Sequence, residues 1–260
     1  MDQNLYDYFQ IDNSQAVGFI FDVDELLFDN RKEIDLAYRG LLGSRGINIP
    51  DQEVFPGKNL FDIIGRIKQV YGLSESVEDL VLERRQRYLE LLIKANSSSV
   101  AEGVKELFCF VEQNREHLNC RLGYASSSEK AFVSIILKKI FAACSLAHYL
   151  SDPDKFFYCN NKGEYACTCW EVGMEKKPSP MVYLKTVEKI GLLPEQCIAF
   201  EDSVSGMQAA LAAGLNVVVV PSSTQVEAFN QIQFSKSNHS LRLHSLADLR
   251  HFFSSIASSS

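Results

Sequence analysis

Short apolar runs separated by helix-like stretches are the main pattern along this chain. Val17–Phe21 is such a run and ends in Asp-Val-Asp, which is typical of a buried strand that carries carboxylates at its C-terminal end. Similar strands are predicted at Arg121–Ala125, Cys197–Phe200 and Asn216–Val220. Because helical stretches alternate with these strands, the pattern predicts an α/β fold with a parallel sheet covered by helices on both faces.

The stretch between the first two predicted strands is too long for a single connection. It spans about 95 residues, whereas crossovers in compact domains are much shorter. Within it, residues 76–95 begin at a possible N-cap, Ser76, and place apolar side chains on one face of a helix. We therefore expect a small helical cap domain at residues 31–96, inserted into an α/β core formed by residues 1–30 and 97–260.

Composition and charge narrow the classes of function. Hydrophobic residues make up 46% of the chain, as in ordinary globular proteins, and the net charge of -7 argues against nucleic-acid binding. Seven cysteines, an odd number, favour free thiols over a disulfide framework. The N-terminal stretch lacks a secretory pattern, and no uncharged apolar run approaches the roughly 20 residues of a membrane span. These features predict a cytoplasmic protein that binds neither nucleic acid nor membranes.

Acidic residues follow two of the predicted strands. Asp22 and Asp24 come directly after Val17–Phe21, where one could act as nucleophile or metal ligand and the other as acid or base. Asp-x-Asp also occurs in turns and solvated loops, so this pattern alone leaves both interpretations open. Glu201 and Asp202 end the strand that begins at Cys197, and their oxygens suit a hard cation.

Hydroxyl groups and a lysine complete the set of candidate residues. Ser126 and Ser127 follow an apolar strand, so Ser126 could bind a phosphate oxygen or could instead be the N-cap of the next helix. Lys177 lies in a loop with prolines at 178 and 180. Lysines in such a loop are usually part of a solvated turn, so Lys177 indicates little on its own.

Taken together and in this order, the four elements resemble the haloacid dehalogenase superfamily, in particular its branch of beta-phosphoglucomutases, phosphoglycolate phosphatases and CbbY-like sugar phosphatases. The most specific match is the 25-residue segment Cys197–Pro221, and Lys177–Pro180 matches the branch's Lys-Pro-x-Pro loop. Further similar segments are Phe19–Asp29, Phe55–Gly72 and Val104–Ser128. The resemblance implies a Rossmann-like core with a parallel sheet and an inserted helical cap.

The resemblance also implies a role for each candidate. Asp22 would be the nucleophile and a magnesium ligand, and Asp24 the acid and base that also binds the metal through its carbonyl group. Asp202 would be the second side-chain ligand of Mg2+, with Glu201 acting through a bound water. Ser126, Ser127 and Lys177 would hold the phosphoryl oxygens. Lys58 stands in a loop that faces the active site in relatives, so it is a candidate for substrate contact, although a solvated turn lysine explains it equally well.

The chain departs from the family pattern at three places. Glu25 stands where relatives have glycine, and Met181 replaces the usual acid after Pro180. The spacing from Ser126 to Lys177 is 51 positions, with a surplus around residues 152–175 that holds Cys159, Cys167 and Cys169. Three thiols are fewer than the four ligands of a structural zinc site, so we expect Trp170 and Tyr165 to pack this segment onto the core.

These observations favour a magnesium-dependent phosphatase that hydrolyses a small phosphate monoester, such as a sugar phosphate, through an aspartyl phosphate. A sugar phosphomutase with the same chemistry is the first alternative. A catalytically inactive member that binds phosphorylated ligands or a protein is the second, supported by Glu25 and the cysteine-bearing segment. The expected partner is a small phosphorylated metabolite, and the expected state is a monomer or weak homodimer.

Overall fold

Six parallel strands form the central sheet of the protein. The structure is a computed structural model that describes residues 4–12, 14–49, 59–96, 99–147, 165–249 and 252. The strands are β1 (Val17–Phe21), β2 (Cys120–Glu129), β3 (Tyr165–Trp170), β4 (Cys197–Glu201), β5 (Asn216–Val219) and β6 (Ser240–Arg242). They are arranged in the order β3-β2-β1-β4-β5-β6. The predicted α/β fold with a parallel sheet is confirmed.

Helices connect these strands. They are α1 (Leu5–Phe9), α2 (Arg31–Gly43), α3 (Leu60–Tyr71), α4 (Val77–Lys94), α5 (Val104–Gln113), α6 (Arg115–Leu118), α7 (Lys130–Ala143), α8 (Met181–Ile190), α9 (Val204–Ala212) and α10 (Val226–Phe229). Short 3-10 turns lie at Pro194–Gln196, Lys236–Asn238 and Leu246–Asp248. In the described part of the chain, no helix combines the length and the apolar character needed to cross a membrane.

The register of the sheet brings two strand ends to one place. β1 is buried along its whole length between β2 and β4. Phe21 at its end lies opposite both Tyr124 of β2 and Phe200 of β4, and the rings of Phe21 and Phe200 stack with centroids 4.6 Å apart. Because parallel strands all end at the same edge, the residues that follow Phe21 and Phe200 meet there.

The chain divides into two compact units, Met1–Asp29 with Ser97–Ser260, and Asn30–Asn96. The second unit contains α2, α3 and α4 around an apolar core that includes Leu41, Ile67 and Leu80. Ser76 is the N-cap of α4, since its side chain accepts a hydrogen bond from the backbone N-H of Asp79. This helical insertion is consistent with the predicted cap.

Candidate active site

Three acids meet where β1 and β4 end. Asp22 directly follows β1, Glu201 is the last residue of β4, and Asp202 comes next. Their exposed fractions are only 7%, 0% and 6%. The sheet register explains why residues almost 180 positions apart in the sequence become neighbours. Such a concentration of buried carboxylates requires compensating positive charge.

Lys177 supplies part of that charge. Its Nζ makes an ion pair with Asp22 Oδ1, lies 2.6 Å from Glu201 Oε1 and donates a hydrogen bond of 2.9 Å to the carbonyl of Ala125. Burial alone would lower the pKa of Lys177, but the carboxylates of Asp22 and Glu201 outweigh this effect and hold the pKa above its ordinary value. Lys177 therefore stays charged and bridges the ends of β1 and β4.

Both carboxylate oxygens of Glu201 are engaged. Oε1 accepts hydrogen bonds from Lys177 and from the hydroxyl of Tyr183. Oε2 accepts hydrogen bonds from the backbone N-H groups of Asp202 and Ser203, at 3.2 and 3.5 Å, and from the Ser203 hydroxyl at 3.3 Å. The carboxylate lies over Gly206, because a Cβ built there would be 2.0 Å from it. Glu201 is thus held in place from both sides.

Sequence reasoning missed the contributions of Tyr183 and Gly206. Tyr183 belongs to the buried face of α8, together with Thr186, Val187 and Ile190. The signal in the sequence is a tyrosine on a largely apolar helix face, since a buried tyrosine hydroxyl usually finds a hydrogen-bond partner. Gly206 lies in α9 and has a helical backbone that any residue could adopt. The need for glycine at this position comes from the Glu201 carboxylate, which occupies the space of a Cβ.

The second predicted acid has a serine partner. The Ser126 hydroxyl donates a hydrogen bond of 2.9 Å to Asp24 Oδ2 and accepts one of 2.9 Å from the backbone of Ser128. Ser126 lies within β2, four residues before α7 begins, so the alternative of a helix N-cap is wrong. The Ser127 hydroxyl accepts a hydrogen bond of 3.3 Å from the backbone N-H of Lys177.

Glu25 has a left-handed backbone conformation, with φ of 61°. Glycine adopts this conformation without strain, which gives a physical reason for the glycine of related sequences. The Glu25 side chain is half-buried, and its Oε2 is enclosed. The ammonium of the neighbouring Lys176 lies 4.7 Å from the ring centroid of Trp170.

The electrostatics of the site favour a bound cation. Burial raises the pKa of Asp22 well above its usual range, and the neighbouring acids add to this although Lys177 opposes it. Burial, followed by the charge of Glu201 and then that of Glu25, raises the pKa of Asp202 to about 8. Negative groups outnumber the lysine, and all the donors are oxygens, so a hard divalent cation fits this site.

The number of side-chain ligands also limits which cation fits. Within the described ranges, no three His, Cys, Asp or Glu side chains are grouped closely enough to hold a metal. Mg2+ commonly binds through one or two carboxylates and keeps several waters. Asp22 and Asp202, together with a backbone carbonyl, are therefore a sufficient protein contribution for Mg2+.

Two predicted features lie partly or wholly outside the described residues. Lys58 and Cys159 are not described. Cys167 and Cys169 lie on β3 with their sulfur atoms 3.7 Å apart. Trp170 packs against the core of the sheet, as expected, and its Nε1 donates a hydrogen bond of 2.6 Å to a backbone carbonyl.

Comparisons with known proteins identify the family and the fold. A family model described as haloacid dehalogenase-like hydrolase matches residues 17–214. Hexitol phosphatase B from Escherichia coli is 30% identical over 247 residues, which cover 90% of this chain and 95% of that protein. A family IA hydrolase of the same superfamily from Entamoeba histolytica has the same fold, with a TM-score of 0.66, 21% identity and coverage of 94% and 99%. CbbY from Rhodobacter sphaeroides, solved with phosphate, has a TM-score of 0.65, 19% identity and coverage of 90% and 96%.

Proposed function

Because this chain belongs to the haloacid dehalogenase-like hydrolase family and is a phosphatase of that family, we propose that it hydrolyses a sugar or sugar-alcohol phosphate through a phosphorylated Asp22. The observation that carries the proposal is the cluster at the ends of β1 and β4. There the buried Asp22 is paired with Lys177, and Asp24 is hydrogen-bonded to Ser126. The name of the Escherichia coli relative supports a phosphorylated hexitol or a similar polyol as substrate.

The first step transfers the phosphoryl group to the protein. A carboxylate oxygen of Asp22 attacks phosphorus, and the bond from phosphorus to the ester oxygen breaks. Asp24 gives its proton to the departing oxygen, so the alcohol leaves neutral. The hydrogen bond of 2.9 Å from Ser126 orients the Asp24 carboxyl group for this transfer.

The second step releases phosphate. Asp24, now a carboxylate, takes a proton from water while the water oxygen attacks phosphorus. The bond from phosphorus to Asp22 breaks, which returns the free carboxylate and inorganic phosphate. The two steps together consume one water per ester and leave the protein unchanged.

Positive charge is needed throughout because the transferred group is an anion. Lys177 and the hydroxyls of Ser126 and Ser127 would bind phosphoryl oxygens. Mg2+ would be held by Asp22, Asp202 and the carbonyl of Asp24, and when bound it would neutralise negative charge on the phosphoryl group. Glu201 would act on this cation only through water, since both of its oxygens have protein partners.

The test is phosphate release from a panel of sugar and sugar-alcohol phosphates with Mg2+. Asp22→Asn should abolish turnover while the protein stays folded, because the amide is isosteric but cannot form the acyl phosphate. Asp12→Asn, at an exposed acid of the same unit, is the matched control and should keep the wild-type rate. Near-normal turnover by Asp22→Asn would refute the mechanism.

The same panel separates the alternatives. A phosphomutase would interconvert two isomers of one sugar phosphate and release little phosphate. An inactive binding protein would do neither, although a phosphorylated ligand would still raise its melting temperature.

A further inference from the structure

Two cysteines stand side by side on β3. Cys167 and Cys169 are two positions apart in the strand, so their side chains lie on the same face of the sheet. Their sulfur atoms are 3.7 Å apart. Cys167 is completely buried, and Cys169 is 6% exposed. β3 therefore carries a buried pair of thiols in contact, on a different strand from the acids of the candidate active site.

The thiol pair lies on the side of the sheet that faces α7. Cys167 is paired in register with Tyr124 of β2, and residues paired in this way point to the same face of a sheet. The ring of Tyr124 packs on Phe141 of α7, with centroids 5.7 Å apart. Ala166, the residue before Cys167, belongs instead to the core that includes Val187 of α8. The two thiols are thus on the face opposite to that core.

Positive charge lies near the pair. Lys189 of α8 donates a hydrogen bond of 2.7 Å from its Nζ to the carbonyl of Cys167. Burial raises the pKa of the Cys167 thiol well above its ordinary value and Cys169 adds to this, whereas Lys189 and Lys130 oppose it. The Cys167 thiol therefore keeps its proton near neutral pH, although two ammonium groups are close enough to stabilise a thiolate.

The position of the pair on one strand disfavours a disulfide. A rise of about 3.3 Å per residue separates the two Cα atoms by about 6.6 Å, close to the upper limit of roughly 6.8 Å for disulfides. The sulfur atoms would have to approach from 3.7 Å to about 2.05 Å. A protonated, buried thiol is also a poor nucleophile towards oxidants. Oxidation is therefore not the chemistry that this geometry favours.

A single metal ion would bridge the sulfur atoms without such a rearrangement. Two metal-sulfur bonds of about 2.3 Å span any separation of the sulfur atoms up to about 4.6 Å. The observed separation of 3.7 Å lies within this range. The pair is thus already spaced to bind one ion between its sulfur atoms.

The donor atoms determine which kind of ion fits. Among the described residues, no third His, Cys, Asp or Glu side chain joins the pair, so zinc, which takes four ligands in structural sites, would be incomplete here. Thiolates are soft ligands that favour Cu(I), and Cu(I) accepts as few as two of them. The oxygen ligands proposed for Mg2+ are a hard donor set. The two sites therefore take different ions.

We propose that Cys167 and Cys169 bind one Cu(I) ion through their two sulfur atoms. This site goes beyond the proposed phosphatase reaction, with which it shares no residue. Binding replaces the two thiol protons by the ion and changes no oxidation state. Two thiolates and Cu(I) together leave one net negative charge, which Lys189 and Lys130 would balance.

Competition with a coloured Cu(I) chelator, bathocuproine disulfonate, tests the site without any assay of activity. The full chain is titrated without oxygen and with ascorbate, so that copper stays Cu(I), and the wild type should take up about one ion per chain. Cys167→Ser and Cys169→Ser should each weaken binding more than about a hundredfold, because even the outer partners of metal ligands contribute about tenfold to a hundredfold. Cys109→Ser, which removes a partly exposed thiol of α5, is the matched control and should bind as the wild type does.

Two further measurements decide the matter if a serine variant fails to fold. Cys167→Ala and Cys169→Ala introduce no buried hydroxyl, and they should lose affinity as the serine variants do. X-ray absorption at the copper edge needs only the wild type, and it should show two sulfur neighbours without nitrogen or oxygen.

Several results would overturn the proposal. A wild type that takes no Cu(I) from the chelator would do so, as would equal uptake by the wild type and all the cysteine variants. A spectrum with nitrogen or oxygen neighbours would place the copper elsewhere. In a parallel titration, binding of Zn(II) through both cysteines without uptake of Cu(I) would show that the pair belongs to a site with further ligands.

Discussion

Replacing Gly206 of α9 by alanine should disturb the candidate active site, because the added methyl group collides with Glu201. The new Cβ would lie 2.0 Å from the carboxyl carbon of Glu201 and 2.0 and 2.1 Å from its two oxygens. Carbon atoms in contact are normally about 3.5 to 4.0 Å apart, so the carboxylate must move by more than about 1 Å. That movement breaks its hydrogen bonds with Lys177 and Tyr183.

The magnitude follows from these contacts. Breaking a buried ion pair costs about 3 to 5 kcal/mol, and alanine in a helix recovers only about 0.5 to 1 kcal/mol relative to glycine. The free energy of unfolding of Gly206→Ala should therefore fall by about 2 to 4 kcal/mol. For a domain of this size, such a loss lowers the melting temperature by about 10 °C.

Gly65→Ala is the matched control. Gly65 also lies inside a helix, and a Cβ there meets nothing within 4 Å. This substitution should stabilise the protein by about 0.5 to 1 kcal/mol. Urea unfolding followed by circular dichroism measures both variants. If Gly206→Ala unfolds at the same urea concentration as Gly65→Ala, the packing of Glu201 on Gly206 is not as described.

Three further predictions concern the metal, the thiols and Glu25. Asp202→Asn should raise the Mg2+ concentration needed for half-maximal activity, since the ligand loses its charge, and an enzyme indifferent to EDTA would contradict the metal site. Burial raises the pKa of Cys144 to about 11 and that of Cys197 to about 12, so both should resist a thiol reagent at pH 7 until the protein unfolds, whereas the partly exposed Cys109 should react in the native state. Glu25→Gly should stabilise the protein by about 1 kcal/mol by relieving a left-handed backbone and should leave turnover unchanged or raise it. Weaker binding of one substrate alone would show instead that Glu25 contacts that substrate.

The central strands could be predicted from the sequence because they are buried on both faces. A strand such as β1 is apolar at every position, so its sequence shows a short uninterrupted run. Its end is marked by the change to Asp22. The same reasoning located β4 and the acids at its end, whereas their joining Asp22 in one site was implied only by the family resemblance.

The edge strands could not be predicted in this way. β6 is only three residues long, Ser240–Arg242, and β3 contains Thr168 between two cysteines. Each lies at an edge of the sheet and pairs with one neighbour, so neither needs a long apolar run.

The hydrogen bond from Tyr183 to Glu201 could not be predicted for another reason. It joins side chains 18 positions apart and leaves no periodic pattern in the sequence.

Glu25 shows how a departure from a family pattern can preserve the backbone and change the electrostatics. With φ of 61°, Glu25 follows a conformation that glycine adopts freely, and its backbone N-H still donates to Phe28 at 2.9 Å. The turn after Asp24 is therefore formed despite the substitution. The added charge contributes to the raised pKa of Asp202, so a proton competes better with a cation for that carboxylate. The expected consequence is a greater need for Mg2+ near neutral pH, not a different reaction.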